Sequence, residues 1–167
     1  MVLILRSFDS DDESAARQAE RQMPNFLLHF EEAEPWQSFL TTIETFRAGI
    51  DLPHPWLKSD FLAAEVEGQL VGRVSIRWEM NEFIEREWGH IGYEVLPSFR
   101  NNGYATSMLA QSVSLLRSNG IAEPIVTVDR GNDASIRVIE KCGGVLTETI
   151  SVDANDNEVF YRYLIKA

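Results

Sequence analysis

One segment of the chain, GHIGYEVLPSFRNNGYATSMLAQSV at residues 89–113, combines residue types that bind phosphate. An apolar stretch ends at Pro97, and Arg100, Gly103 and Ala105 follow just before a helical pattern begins. A helix start directs free backbone N–H groups and the positive end of the helix dipole at one point. The glycine and the alanine let the backbone approach a ligand closely, and the arginine adds a formal charge. This pattern predicts a phosphate or pyrophosphate site.

The loop differs from two common phosphate-binding loops. No G-K-[ST] follows the glycine, as a Walker A loop requires, and the Rossmann fingerprint G-x-G-x-x-G is absent. A glycine near a helix start is also a frequent cap, so spacing alone leaves a purely structural role open.

Two consecutive motifs resemble those of the GNAT superfamily of N-acetyltransferases. The pattern V-x-P-x-x-R-x-x-G-x-A at residues 95–105 is similar to the family's acetyl-CoA signature. The pattern N-x-x-S-x-x-V at residues 132–138, followed by K-x-G at 141–143, is similar to the family's next motif. Both lie on successive strand–helix units in the family's order, and the resemblance covers about residues 60–165. Within the superfamily, the segment is similar to a group of uncharacterised acetyltransferases.

The resemblance implies a co-substrate, acetyl-CoA, and a place for it. Its pyrophosphate would rest on the backbone amides of the loop, and its pantetheine arm would pair with the end of the signature strand. The asparagine of the second motif would bond the arm, although it could equally be a helix N-cap, and the two roles can coexist. The implied CoA-binding residues are Val95, Leu96, Arg100, Asn101, Asn102, Gly103, Tyr104, Ala105, Thr106, Asn132 and Ser135.

In this family an amine attacks the thioester directly, and a base must remove the proton that an alkyl amine carries at neutral pH. His90 and Glu94 share one side of the signature strand and are the base candidates. Many members carry a tyrosine acid seven residues after the motif asparagine, where this chain has Ile139. Tyr93 and Tyr104 are the alternative acids. Each candidate has an alternative role: His90 bonded to a loop carbonyl, Glu94 as a substrate anchor or a surface residue, and the tyrosines in packing.

The hydrophobic period switches between two and about 3.6 along the chain, which predicts one α/β domain over residues 1–167. The resemblance implies the GNAT acyl-CoA N-acyltransferase fold, a central, mostly antiparallel mixed sheet with helices on both faces. The expected strands are 2–8, 61–67, 70–79, 88–96, 124–129, 145–152 and 158–165, and the expected helices are 11–22, 35–50, 102–118 and 133–141. Residues 81–87 fit a short helix or an ordered loop, and residues 154–157 fit a turn.

Composition restricts the classes of partner, the location and the metal content that we expect of this protein. The net charge of −11 and the pI of about 4.7 disfavour nucleic acid and favour cationic partners such as amines, unless acidity only confers solubility. No apolar run reaches the roughly 20 residues that span a bilayer. With a lone cysteine, Cys142, and no leader pattern, we expect a cytoplasmic protein. No histidine has metal-ligand spacing, so we expect no metal.

The acceptor is left open by the sequence. The first reading is a small cationic amine such as a polyamine, an aminoglycoside or an amino acid derivative. The alternatives are a protein N-terminus or lysine, or a CoA-binding module without catalysis. Trp36, Phe39, Trp56 and Trp78 could line an acceptor cleft or belong to the core. The last strand, VFYRYLIK, could pair across a homodimer or within one chain.

Overall fold

The structure is a computed structural model, which describes residues 2–27, 30–151 and 159–166. The strands in this part of the chain are β1 (Leu3–Ser7), β2 (Ser59–Val66), β3 (Gln69–Arg77), β4 (Ile91–Val95), β5 (Ile125–Asp129), β6 (Gly144–Ser151) and β7 (Val159–Ile165). The α-helices are α1 (Glu13–Gln22), α2 (Trp36–Ala48), α3 (Tyr104–Ser118) and α4 (Asp133–Lys141). Their order is the predicted one.

Short helical turns connect some of these elements. A π-helical turn at Ile84–Trp88 precedes β4, so the signature strand begins at Ile91 rather than at the predicted residue 88. The turn expected at 154–157 lies outside the described residues. None of the described helices is both long and apolar enough to cross a membrane.

The strands form two antiparallel groups. One group has the order β1-β2-β3-β4 and the other has the order β5-β7-β6. Every ladder in both groups is antiparallel. Strand β7 is bonded on both sides, to β5 and to β6, so it pairs within the chain and has no free edge for a subunit partner. A homodimer therefore stays a prediction, but edge-to-edge pairing of β7 cannot be its interface.

Alternation along β2 and β3 sends side chains to two different cores. On one face, Val74 and Ile76 pack with Met108 and Leu109 of α3. On the other face, Phe61 and Ala63 join residues of α1 and α2, including Phe39. The prediction of a mixed α/β fold with helices on both faces is confirmed.

Candidate active site

The two sheet groups meet at β4 and β5, which touch at one end. A single backbone bridge joins Gly89 to Val126, and the N–H of His90 donates to the Ile125 carbonyl at 2.8 Å. Gly89 has φ +62°, and a Cβ at this position would lie 2.7 Å from the Ile125 oxygen, so the approach requires glycine. Beyond this contact, no ladder joins the two strands in the described part of the chain, and a gap opens between them.

The imidazole of His90 closes the narrow end of this gap. Its Nδ1 accepts the Ile125 N–H at 2.9 Å, and the residue is only 7% exposed. Burial, and secondly the positive charge of Arg77, lower the pKa of His90 from 6.5 to about 4. The ring is therefore neutral at pH 7, and the lone pair of Nδ1 is occupied by the hydrogen bond from Ile125. This geometry fits the structural alternative for His90, with a backbone amide in place of the expected carbonyl.

At the open end of the gap, the loop before α3 presents unpaired amides. The amide of Arg100 donates to Pro97 and that of Ser107 donates to Gly103. Between them, the six amides of residues 101–106 have no acceptor among the described residues. They surround the start of a 15-residue helix, where the dipole adds positive potential.

Two left-handed residues shape this loop. Asn101 has φ 65° and Gly103 has φ 80°, the latter at the N-cap of α3. Asn102 braces the turn, because its side-chain amide donates to the carbonyls of Phe99 and Arg100, each at 3.1 Å. No atom lies within 4 Å of a Cβ placed on Gly103, so its role is conformational and it keeps the space above the loop open.

The loop borders a cavity of about 610 Å³ that runs between β4 and the start of α4. Three cations line it, Arg100, Arg137 and Lys141. Of the predicted CoA-binding residues, the lining includes Val95, Arg100, Asn101, Gly103, Tyr104, Ala105, Thr106, Asn132 and Ser135. Six amides with three cations suit a phosphorylated ligand with several negative charges.

Strand β4 offers backbone groups to the same gap. One hydrogen bond lies at each end of the β3–β4 ladder. At one end the Arg77 N–H donates to the His90 carbonyl, and at the other the Leu96 N–H donates to the Val71 carbonyl. Because bonded and non-bonded pairs alternate in antiparallel ladders, the backbone groups of Tyr93 and Val95 point away from β3. The Val95 carbonyl accepts from the Arg100 Nε at 3.2 Å, so the groups left to pair with an extended ligand are those of Tyr93 and the Val95 N–H.

Leu96 does not take the predicted part. Its N–H donates to Val71 and its carbonyl accepts from Phe99. Its side chain is buried in the core under α1 and α2. The strand ends at Val95, so the alternation places Leu96 on the side bonded to β3 and leaves it outside the cavity lining.

The N-terminus of α4 faces β4 across the gap. Asn132 is the N-cap, and its side-chain oxygen accepts the Ser135 N–H at 3.1 Å. The Tyr93 hydroxyl points to the Ser135 carbonyl at 3.5 Å, and burial raises the pKa of Tyr93. Ile139 is buried one turn further along α4 and carries no titratable group. The hydroxyl that faces α4 here comes from β4 instead.

A second cavity, of about 240 Å³, adjoins the first and shares Tyr93, Glu94, Asn132 and Ser135 with it. Glu94 points to the α1 and α2 face, opposite Arg73 in the ladder. Its carboxylate accepts from the Arg73 guanidinium at 2.7 Å and is one-third exposed. The two cavities therefore meet at a carboxylate and a phenol.

Sequence reasoning missed the floor of the second cavity. Arg73, Ser75 and Arg77 of β3 line it, on the face of the sheet shared with Glu94. The signal was present, since polar residues occur at every second position of a strand that is otherwise buried. Such alternation on an interior strand indicates a built polar surface.

Other candidates have simpler surroundings. Trp36 stacks on Phe39 in the core, and Phe39 and Trp56 line a narrow apolar cavity under α2 that continues from Ser75 and Arg77. The Cys142 thiol is half-buried with its pKa raised by burial, and it does not line either cavity. Within residues 2–27, 30–151 and 159–166, no cluster of His, Cys, Asp and Glu suits a metal ion.

Similar solved structures share the whole fold. The Salmonella typhimurium protein yncA, with its cofactor acetyl-CoA, is 16% identical with a TM-score of 0.67, covering 99% of this chain and 94% of that one. RimJ of Mycobacterium smegmatis in complex with CoA-disulfide is 19% identical with a TM-score of 0.73, covering 99% and 82%. Mutant forms of the Vibrio cholerae spermidine/spermine N-acetyltransferase SpeG are 17% identical with a TM-score of 0.63, covering 98% and 94%.

At these identities the structures show a common fold. A search of curated protein sequences gave no match. Residues 21–144 match the model of the acetyltransferase (GNAT) family, which confirms the resemblance read from the two motifs. The chain therefore belongs to the acetyltransferase (GNAT) family.

Proposed function

We propose that this protein transfers the acetyl group of acetyl-CoA to the primary amine of a small molecule. The observation that carries the proposal is the row of six unpaired amides at residues 101–106 above a helix start. This arrangement fits the pyrophosphate of CoA. Similar structures hold acetyl-CoA or CoA-disulfide.

The arrangement of the two cavities supports direct attack in a ternary complex. The larger cavity suits CoA, and the smaller one, called the acceptor cavity below, lies on the other side of Tyr93 and Glu94. Both substrates can therefore be present together, which lowers the entropic part of the barrier. The amine nitrogen forms a bond to the thioester carbon, the C–S bond breaks, and the thiolate leaves with the electron pair.

Protein groups then handle the two protons. Glu94 faces the acceptor cavity and accepts the proton that the amine loses, directly or through one water. Tyr93, kept protonated by its raised pKa, donates to the departing thiolate. The free N–H of Val95 can stabilise the carbonyl oxygen as its charge grows. His90 takes no part in proton transfer, because its Nδ1 is bonded and its pKa is low.

Two alternatives to a small-molecule amine are a protein N-terminus or lysine as the acceptor, and CoA binding without turnover. Similar solved structures include RimL, a ribosomal L7/L12 alpha-N-protein acetyltransferase, and SpeG, a spermidine/spermine N-acetyltransferase, so the fold alone does not select the acceptor. A small molecule is favoured here because aromatic side chains of Phe39, Phe46 and Trp56 enclose the space beyond Arg77. A chain that binds CoA without turnover is the remaining alternative.

Calorimetric titration of acetyl-CoA tests the proposal, with Gly103→Trp and Gly120→Trp as a matched pair. Both glycines have positive φ and open space around the Cβ position, so the backbone cost is similar. Only Gly103 lies in the cavity lining. We expect micromolar binding by the wild type and by Gly120→Trp, and a loss of at least tenfold in Gly103→Trp. Equal binding by both variants, or none by the wild type, would overturn the proposal.

A further inference from the structure

The floor of the acceptor cavity carries more positive charge than the protein neutralises. Arg73 and Arg77 are four residues apart on β3 and point to the same face of the sheet. Arg73 has Glu94 as its carboxylate partner. Arg77 forms no ion pair within the described part of the chain, and donates only to the carbonyls of Trp88 at 3.3 Å and Gly89 at 3.2 Å.

Aromatic rings flank both of these guanidinium groups. Arg73 lies over the rings of Phe26 and Phe61, at 6.0 and 5.1 Å, and Arg77 lies over Trp88 at 5.3 Å. Burial, and secondly the charge of Arg73, lower the pKa of Arg77 to about 10. Two like charges held together in an apolar place are costly unless an anion joins them.

Two buried polar atoms at this floor also have no partner. Among the described residues, neither the Arg73 Nε nor the Ser75 hydroxyl has a hydrogen-bond acceptor or donor. Ser75 lies between the two arginines on the same face and lines the cavity with them. Buried polar groups in native proteins are rarely unpaired, so a missing ligand is the simplest account of both atoms.

The other charges that line the cavity do not supply this anion. Glu94 is engaged with Arg73, and Asp129 is exposed on the far strand. Asp60, near Arg77 in the adjoining apolar cavity, is bonded to Arg47 at 2.6 Å and to the Trp78 N–H at 2.9 Å. The position is therefore open to a negative group that arrives with the substrate.

We propose that Arg77 and Ser75, with Arg73, bind a carboxylate of the acceptor, so that the acceptor is an amino acid or a close derivative with a free carboxylate. This inference rests on the proposed acetyl transfer. A guanidinium binds a carboxylate in a planar fork, and the serine hydroxyl adds a third bond. With the carboxylate on β3, the amine of the same molecule lies toward Glu94 and the CoA cavity. A polyamine would meet two arginines in this place.

Thiol release from acetyl-CoA, measured with the twenty L-amino acids and with their amides, tests the inference. The amide keeps the amine and the side chain but loses the negative charge. We expect kcat/KM for the best acid to exceed that of its amide by about 10- to 100-fold, the usual effect of a hydrogen bond to a charged group. Spermidine and a peptide with a free N-terminus and an amidated C-terminus are run beside them. Faster turnover of either one, or of the amide, would overturn the inference.

Variants test whether Ser75 and Arg77 cause the preference for the acid over its amide. Ser75→Ala removes a hydroxyl that bonds to nothing described, so it should fold normally, while Ser112→Ala removes a buried hydroxyl of α3 that bonds to Met108 at 2.8 Å, away from the cavity. We expect Ser75→Ala to raise KM for the acid about tenfold, and Arg77→Gln to abolish the preference for acid over amide. Ser112→Ala should leave both unchanged. A preference that survives in Arg77→Gln would refute the assignment.

The titration of acetyl-CoA separates the two proposals. If acetyl-CoA binds and an amine other than an amino acid is the substrate, the carboxylate inference fails and acetyl transfer stands. If the wild type does not bind acetyl-CoA, the proposed function itself fails. In the expected case, Ser75→Ala and Arg77→Gln bind acetyl-CoA as the wild type does.

Discussion

His90 distinguishes two accounts of the active site, and replacing it by asparagine tests them. In the structure Nδ1 of His90 accepts the buried Ile125 N–H and closes the narrow end of the gap between β4 and β5. The side-chain oxygen of asparagine can take the same hydrogen bond but cannot act as a base. His90→Asn should therefore keep kcat/KM within about threefold. A general base would cost about 100- to 10,000-fold.

His90→Ala is the matched disruptive variant. It leaves the Ile125 N–H buried without an acceptor, which costs about 1–3 kcal/mol, and loss of ring packing adds to this. For a domain of this size, 1 kcal/mol corresponds to about 2–4 °C in Tm. We expect the Tm of His90→Ala to fall by at least about 5 °C while that of His90→Asn falls by less than half as much.

The pH dependence of the free energy of unfolding gives an independent measure of the burial of His90. The pKa of His90 is lowered from 6.5 to about 4, which corresponds to about 3 kcal/mol at 1.36 kcal/mol per unit. Because the unfolded chain binds the proton more tightly, this contribution is fully present above pH 6.5 and is lost as the pH falls toward 4. About 2 kcal/mol of it should be gone at pH 5.

Urea unfolding of the wild type and His90→Asn at pH 8 and pH 5 measures this term. The wild type should lose about 2 kcal/mol more than the variant between the two pH values, because only the wild type has a histidine to protonate here. Equal losses would refute the burial argument. A fully stable His90→Asn that loses activity 100-fold would show that His90 is the base after all.

For two other residues of β4, the loss of rate in a variant should shrink as the pH rises, for different reasons. Glu94→Gln keeps an acceptor for Arg73 but removes the base, so kcat should fall about 100-fold at pH 7 and recover toward pH 9.5, where more amine is already deprotonated. Tyr93→Phe removes the acid, and kcat should fall about tenfold at pH 7 and much less at pH 9, since a thiol with a pKa near 8.5 then leaves unaided. Rate profiles from pH 6.5 to 9.5 check both, and a pH-independent loss in either variant contradicts its role.

The sequence predicted the loop well because local chemistry determines it. A strand end, a glycine and a helix start lie within ten residues, and the unpaired amides at 103–106 follow from helix geometry, while those at 101 and 102 follow from the loop. The order of the elements also followed from periodicity. The prediction that Leu96 pairs with CoA was wrong, because a shift of one residue changes which side of a strand a backbone group faces. The sequence could not place the strand end to within one residue.

The environment of His90 could not be predicted from its own segment. Its partner, Ile125, lies 35 positions away on another strand group, and only the fold brings the two together. An isolated histidine suggests a base by its ordinary pKa, but burial removes that property. Titration of a side chain is a property of its surroundings, and the surroundings here are tertiary.

The net charge and the buried arginines indicate different acceptors, for a physical reason. Most of the charges behind the −11 lie at the surface, where salt screens them over about 8 Å. Arg73 is buried and Arg77 is half-buried, and a charge in that setting acts far more strongly on a ligand that touches it. The acidic surface can still attract the protonated amine end of a substrate. A molecule with both an ammonium and a carboxylate fits the two fields at once, which a polyamine does not.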